Sequence, residues 1–202
     1  MDVSHLVYTF LQQVQQTGWL EWMAVGFGVA EVLLAKANNV LLYPAGIISV
    51  LISIYLFYDA GLYAESALNI YYLIMSGWGW WLWVSHNNRV QLPVTKAGKK
   101  DWNITIAIVA TAYTLLYIIL KNFTNSSVPA FDAFVSAAAW AGMWLLAKRK
   151  LENWVLLNIS NAVAIPLLFY KQLPLYALLT VFLFVIAIQG YFKWKKIIDE
   201  KE

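Results

Sequence analysis

The positive charges of this chain are gathered in four short places, with long apolar stretches between them. Of 14 Lys and Arg residues, 12 lie at Lys36; at Arg89, Lys96, Lys99 and Lys100; at Lys148, Arg149 and Lys150; and at Lys193, Lys195, Lys196 and Lys201. The other two are Lys121 and Lys171. Cytoplasmic loops of membrane proteins hold the excess of Lys and Arg. The pattern therefore reports which loops are inside, and with that how often the chain crosses.

A span needs about 20 mostly apolar residues. Seven segments meet this requirement: Gly18–Ala35, Val40–Tyr58, Leu62–Val84, Ile104–Leu120, Phe131–Ala147, Trp154–Tyr170 and Leu173–Phe192. All the clustered bases follow the odd-numbered segments, which puts the N-terminus outside and the C-terminus inside. Hydrophobic residues make up 61% and charged residues 12%, against roughly 45–50% and about 25% in soluble domains. Nucleic acid is not an expected partner despite the net charge of +3, because the bases sit at span ends. The lipid bilayer is.

Residues 1–17 are too polar to span. Val3, Leu6, Val7, Phe10, Leu11 and Val14 recur at helical spacing among glutamines, as in a helix on the outer interface or on the bundle. Asp2 and the lack of a basic leader argue against a cleavable signal. The expected divisions are 1–17 interfacial helix, 18–85 first bundle, 86–130 basic loop and linker helix, 131–196 second bundle and 197–202 charged tail.

Short strings recur along the chain. Leu33-Leu34-Ala35-Lys36 returns as Leu145-Leu146-Ala147-Lys148, and Leu56-Phe57-Tyr58 as Leu168-Phe169-Tyr170, both 112 positions on. Leu62-Tyr63-Ala64 returns as Leu175-Tyr176-Ala177 at 113, where Gly77 also meets Gly190 and Trp81 meets Trp194. The fold class expected is an all-α membrane protein of seven transmembrane helices, with two parallel three-helix repeats joined by a linker helix. Such repeats are typical of transporters whose substrate site lies near mid-membrane between the halves.

Polar residues inside spans usually face the bundle or a cavity. Trp154, Asn158 and Asn161 share one face of the sixth segment, where an aromatic plane and two amides suit a flat polar heterocycle. Asn69, Tyr72, Ser76 and Trp80 form a stripe on the third, and Trp83 at its inner boundary reads as interfacial belt. Trp140 and Trp144 stand among small residues of the fifth. Glu31 is an acid within the first span, with no base in any span to pair with it, and so is a candidate partner for a cationic substrate. Asp132 and Glu65 are close enough to the outer ends to meet water, and His86 falls in a loop. Pro44 with Gly46, and Pro166, are expected to break the middle helix of each half.

Several chemistries are missing. There is no Cys, no G-x-x-x-x-G-K-[ST], no H-E-x-x-H and no G-x-S-x-G. His5 and His86 form no metal pair, and no cofactor is called for. An enzyme acting on a lipid-linked substrate would lack an acid–base pair or metal ligands. A substrate-binding subunit would transport only with an energising partner, which the internal duplication makes unnecessary.

Asn38-Asn39-Val40-Leu41-Leu42-Tyr43-Pro44-Ala45-Gly46, Leu62-Tyr63-Ala64 followed by Gly79-Trp80-Trp81-Leu82-Trp83, and Asp132 followed by Lys148-Arg149-Lys150-Leu151-Glu152-Asn153-Trp154 resemble the signatures of the PnuC family of bacterial vitamin transporters, over roughly residues 18–196. The resemblance implies a fold related to the SWEET sugar transporters, a homotrimer in the bacterial inner membrane, and no enzymatic activity. It also implies facilitated diffusion of nicotinamide riboside, trapped inside by phosphorylation; similar proteins carry thiamine or riboflavin. Where the family often has a second Trp three positions after Trp154, this chain has Leu157, followed by Asn158. Asn161 matches a frequent family Asn, and Asn69 stands where many members have Gln. The expected substrate is thus a small vitamin, nicotinamide riboside first and thiamine as the alternative, held by Glu31, Asn69, Tyr72, Trp80, Trp140, Trp154, Asn158 and Asn161.

The charge map makes a direct prediction. Cysteines placed singly at Gln91 and Ser126 in this Cys-free chain should label with an impermeant reagent from opposite faces of the membrane. Labelling of both from outside would contradict the assigned orientation.

Overall fold

A computed structural model describes residues 3–85, 92–124 and 126–200, with the side chains of 3 and 63–65 left out. His86, Arg89 and Lys201, and the side chain of Glu65, lie outside the described residues. The described chain folds into eight helices: α1 (Val3–Gln16), α2 (Trp19–Lys36), α3 (Leu42–Asp59), α4 (Tyr63–Val84), α5 (Lys99–Phe123), α6 (Pro129–Ala147), α7 (Asn153–Tyr170) and α8 (Pro174–Asp199). Each of the seven apolar segments falls on one of α2–α8. By length and composition five helices, α3 and α5 to α8, could each cross a membrane among the described residues, and α1 with α2 could count as a sixth, bent span. Glu21, Glu31 and Lys36 set α2 apart from these, and Asn, Ser, Gly and Tyr reduce the apolar character of α4.

The helix ends have local causes. α1 breaks at Thr17-Gly18, and α2 departs at 104° to it. Residues in the left-handed region stop four helices: Asn38 after α2, Gly61 after α3, Arg149 after α6 and Gln172 after α7. Pro129 and Pro174 open α6 and α8, where the missing N–H has no intrahelical partner to lose. Pro44 does not break its helix as expected. It stands in the first turn of α3, where proline is tolerated, and α3 continues to Asp59. α7 likewise runs through Pro166 to Tyr170. α8 extends past the expected Phe192 to Asp199, because Trp194 and Ile198 continue its buried face.

Six helices close a ring. α2 packs on α3, α3 on α4, α4 on α6, α6 on α7, α7 on α8, and α8 returns to α2. α5 lies outside the ring, mainly against α6, and α1 rests on α8. There Gln13 donates to the carbonyl of Gln172 (2.9 Å) and accepts from the N–H of Leu175 (3.2 Å).

The two sides of the ring match at an offset of 111 residues. Backbone bonds closing α2 (Ala37 to Leu33, Asn38 to Ala35, Asn39 to Leu34) recur at the end of α6 (Lys148 to Trp144, Arg149 to Leu146, Lys150 to Leu145). Those closing α3 (Ala60 to Leu56, Gly61 to Tyr58, Leu62 to Phe57) recur at the end of α7 (Lys171 to Leu167, Gln172 to Phe169, Leu173 to Leu168). Side chains follow the same register. Ser49 donates to the carbonyl of Ala24, and Ser160 to that of Val135, both at 2.8 Å. The string matches at 112 and 113 are therefore out of structural register by one or two residues: Gly190 corresponds to Gly79 rather than Gly77, and Trp194 to Trp83 rather than Trp81.

That register has a packing consequence. Tyr43 lies across Gly79, and Trp154 lies across Gly190, each ring filling the notch where a side chain would otherwise stand. A Cβ on Gly190 would come within 2.7 Å of the Trp154 ring, and one on Gly79 within 2.5 Å of Tyr43. Gly77 has nothing within 4 Å of its Cβ position. Gly190→Ala and Gly79→Ala should each lower stability by about 1–3 kcal/mol through overpacking. Gly77→Ala should be neutral or stabilising by up to about 1 kcal/mol, since Ala is the better helix former. Thermal unfolding in detergent separates the two registers: equal loss at Gly77 and Gly190 would favour 113.

Candidate substrate-binding site

Two cavities lie between the helices, and Phe57 of α3 lines both. The smaller, about 160 Å³, is bounded by Asn69 and Tyr72 of α4, Ser136 and Trp140 of α6, and Leu116 of α5. Helical spacing on α4 puts Asn69 and Tyr72 on one face, and α4 meets α6 here. Trp140 is held firmly. Tyr71 stacks on its ring at 4.1 Å and donates from its hydroxyl to the Trp140 carbonyl at 2.9 Å. This lobe offers an aromatic wall, an amide and two hydroxyls, the groups a flat polar ring needs.

The larger cavity, about 490 Å³, lies between α2, α3 and α8 and contains Glu31, Ser49 and Ser53. Glu31 lies against Gly46, whose hypothetical Cβ would sit 2.5 Å from the carboxylate oxygen. At the offset of 111, Glu31 corresponds to Gly142 and Gly46 to Leu157. There the glycine is on α6, and a Cβ on it would come within 3.0 Å of the Leu157 side chain of α7. One half thus closes this seam with an apolar contact. The other half puts a carboxylate in the same place, although packing alone does not require one.

The structure brings together Asn69, Tyr72 and Trp140, and sets Glu31 in the neighbouring lobe. It does not bring the other candidates to these cavities. Trp154 is buried in the inner core, edge-on to Trp194 at 5.6 Å. Its indole N–H has no protein hydrogen-bond partner. Asn158 and Asn161 follow it on α7, half-buried, and the Asn158 carbonyl oxygen is enclosed without a protein partner. Trp80 points outward at 40% exposure. Trp83, expected in the interfacial belt, is the buried one at 4%. The reason is helical phase: Trp83 shares a face with Gly79, which meets Tyr43, and Trp80 does not.

Beside the cavities, this core closes the end of the helix ring that carries Lys36 and Arg149. The Trp83 indole donates to the carbonyl of Ala147 (3.1 Å), and the Trp194 indole to that of Ala35 (3.0 Å), so each half is tied to the end of a helix in the other. The Arg149 guanidinium stacks on Trp83 at 3.9 Å and donates to the carbonyls of Leu92 and Asn38. Burial draws its pKa down to about 10, which leaves it charged at neutral pH. Lys148 and Lys150 pair with Asp101 at 3.0 and 3.2 Å. Asp132, expected to meet water, is partly exposed and also pairs with Lys171 at 2.6 Å near the opposite end.

Phe57, Ser136, Ser49, Ser53 and Tyr71 were not legible as site residues. The serines carry a faint signal as hydroxyls inside apolar spans; Phe57 and Tyr71 look like any other core aromatic.

A ring of helices, most of them apolar enough to cross a bilayer, with polar and aromatic cavities between the helices, is the architecture of a membrane transporter. Residues 18–196 match the family model for the nicotinamide mononucleotide transporter. The chain belongs to this family, the PnuC transporters. It is 25% identical over 212 aligned positions to the nicotinamide riboside transporter PnuC of Neisseria mucosa, covering 98% of this chain and 78% of that one. It is 20% identical to the protein of the same name from Escherichia coli, covering 87% and 84%. A crystal structure of the vitamin B3 transporter PnuC superposes with a TM-score of 0.72 at 22% identity, over 99% of this chain and 91% of that one, and so shares its fold.

The unpartnered Asn158 oxygen gives a test of the α7 face. Asn158→Leu should weaken substrate binding by about 1–3 kcal/mol while leaving thermal stability unchanged or raised, because a buried unsatisfied polar atom is removed. Asn161→Leu should weaken binding likewise. Unchanged affinity in both would leave α7 outside the site.

Proposed function

We propose that this chain carries nicotinamide riboside into a bacterial cell by facilitated diffusion, through a mid-membrane site formed by the two cavities beside Phe57 together with the α7 face that carries Asn158 and Asn161. The observation that carries the proposal is a half-buried carboxylate, Glu31, in a cavity that shares Phe57 with a second cavity lined by Trp140, Tyr72 and Asn69. A pyridinium nucleoside presents a flat cation with an amide and hydroxyls. Aromatic faces and an acid suit the cation, and the amide and hydroxyl side chains suit the rest. Relatives named for nicotinamide riboside transport support the choice of substrate.

In this reading α2 to α8 are seven spans, with α2–α4 and α6–α8 as parallel repeats and α5 as the linker. The N-terminus is outside, the C-terminus is in the cytoplasm, and three copies assemble in the inner membrane. The recurrence of bonds at 111 residues supports the repeats, and the basic loops support the orientation. No chain of acids and bases runs through the sequence segments read as spans, which favours uniport over proton coupling.

Proteoliposomes should equilibrate labelled nicotinamide riboside without ATP or an ion gradient. Glu31→Gln should weaken the cationic nucleoside by on the order of 1 kcal/mol and its neutral reduced form by less. Accumulation driven by an imposed proton gradient would refute uniport. Equal effects on both nucleosides would remove Glu31 from cation recognition.

A further inference from the structure

The larger cavity extends well beyond Glu31. It follows α2 back to Glu21 in the first turn of that helix, and there it meets the last turn of α3 at Phe57 and Ala60 and the first turn of α8 at Tyr176. Ten residues at 1.5 Å each separate the two acids, about 15 Å along one helix. Glu21, Gly28 and Glu31 all line the cavity, with Ser49 and Ser53 on the facing wall of α3. The result is a single passage with one carboxylate near the helix ends and a second at depth, and hydroxyls between them. Glu21 is half-buried, and it lines the same cavity as Tyr176.

We infer that Glu21 and Tyr176 form a first binding station for a cationic aromatic substrate, from which Ser49, Ser53 and Phe57 lead to Glu31. The inference rests on the proposed carriage of a cationic nucleoside that approaches from the N-terminal side of α2. A cleft lined by one sign of charge focuses its field and raises the local concentration of an oppositely charged ligand. Tyr176 adds a ring face for the cation. At the offset of 111, Glu21 corresponds to Asp132, which pairs with Lys171 at 2.6 Å. The repeat thus has an acid at both outer positions: one forms an ion pair, and the other lies on the passage.

An acid in the first turn also suits the dipole of α2, and initial-rate uptake distinguishes the two roles. Proteoliposomes of wild type, Glu21→Gln, Glu31→Gln and, as a charge control at the far end of α8, Glu200→Gln are compared with nicotinamide riboside and its neutral reduced form. Glu21→Gln is expected to raise KM for the cation by roughly three- to tenfold at low ionic strength, with the gap closing as salt rises. KM for the neutral form and for Glu200→Gln should stay near wild type. A Glu21→Gln KM equal to wild type at every salt concentration would overturn the inference and leave Glu21 a helix-dipole residue. An equal rise for both substrates would overturn it as well, since shape rather than charge would then be recognised. Failure of the wild type to take up nicotinamide riboside would show before any variant is compared; it would remove the proposed substrate and with it the ligand of this station. Loss through Glu31→Gln with Glu21→Gln unaffected would spare the proposed function and refute only the outer station.

Discussion

The structure depends on large aromatic rings laid into glycine notches, once in each half. Tyr43 on Gly79 and Trp154 on Gly190 hold their helix pairs at close approach. Within a bilayer there is little hydrophobic drive for one apolar helix to leave lipid for another, so close packing and interhelical hydrogen bonds carry the association. Both are present here. Trp83 and Trp194 sit beside those rings and donate across the ring of helices to Ala147 and Ala35. Ala133, Ala137, Ala138 and Ala141 give α6 a fully buried face that α5 and α7 can approach.

Because the frame recurs at 111 residues, departures from it carry information. The seam that Gly142 and Leu157 close by apolar contact holds Glu31 and Gly46 in the other half. Trp140 corresponds to Val29, Tyr72 to Leu183, and Asn69 to Thr180. The aromatic and amide groups thus gather where α4 meets α6, and the carboxylates where α2 meets α3 and α8. In the proposed reading this asymmetric lining orients the ligand, with the cation toward the carboxylate seam and the ring plane toward the aromatic one.

Much of this was legible in the sequence. The clustered bases mark the segments that became α2 to α8, and Asn69, Tyr72 and Trp140 stand out as polar or bulky groups in apolar runs. The repeat was visible but its register was not. Leu-rich strings match easily with a slip of one residue, whereas the true register lies in helix caps, where Asn38 pairs with Arg149 and Gly61 with Gln172, alike in backbone conformation and unlike in side chain. Trp83, expected at the interface, is buried and Trp80 is exposed, because composition does not report helical phase. Pro44 looked like a breaker until its place in the first turn was known. Phe57 had no signal, since an aromatic in an apolar helix is ordinary until a cavity is seen on either side of it.

The central claim is that a cationic aromatic nucleoside occupies this helix ring. Ligand-induced thermal stabilisation of the purified chain tests it most directly, because the tightest binder of the folded state stabilises most at equal concentration. Nicotinamide riboside is expected to raise the unfolding temperature more than thiamine, riboflavin or a neutral sugar does. Larger stabilisation by thiamine or riboflavin would assign the site to another vitamin, and stabilisation by none of them would contradict the claim.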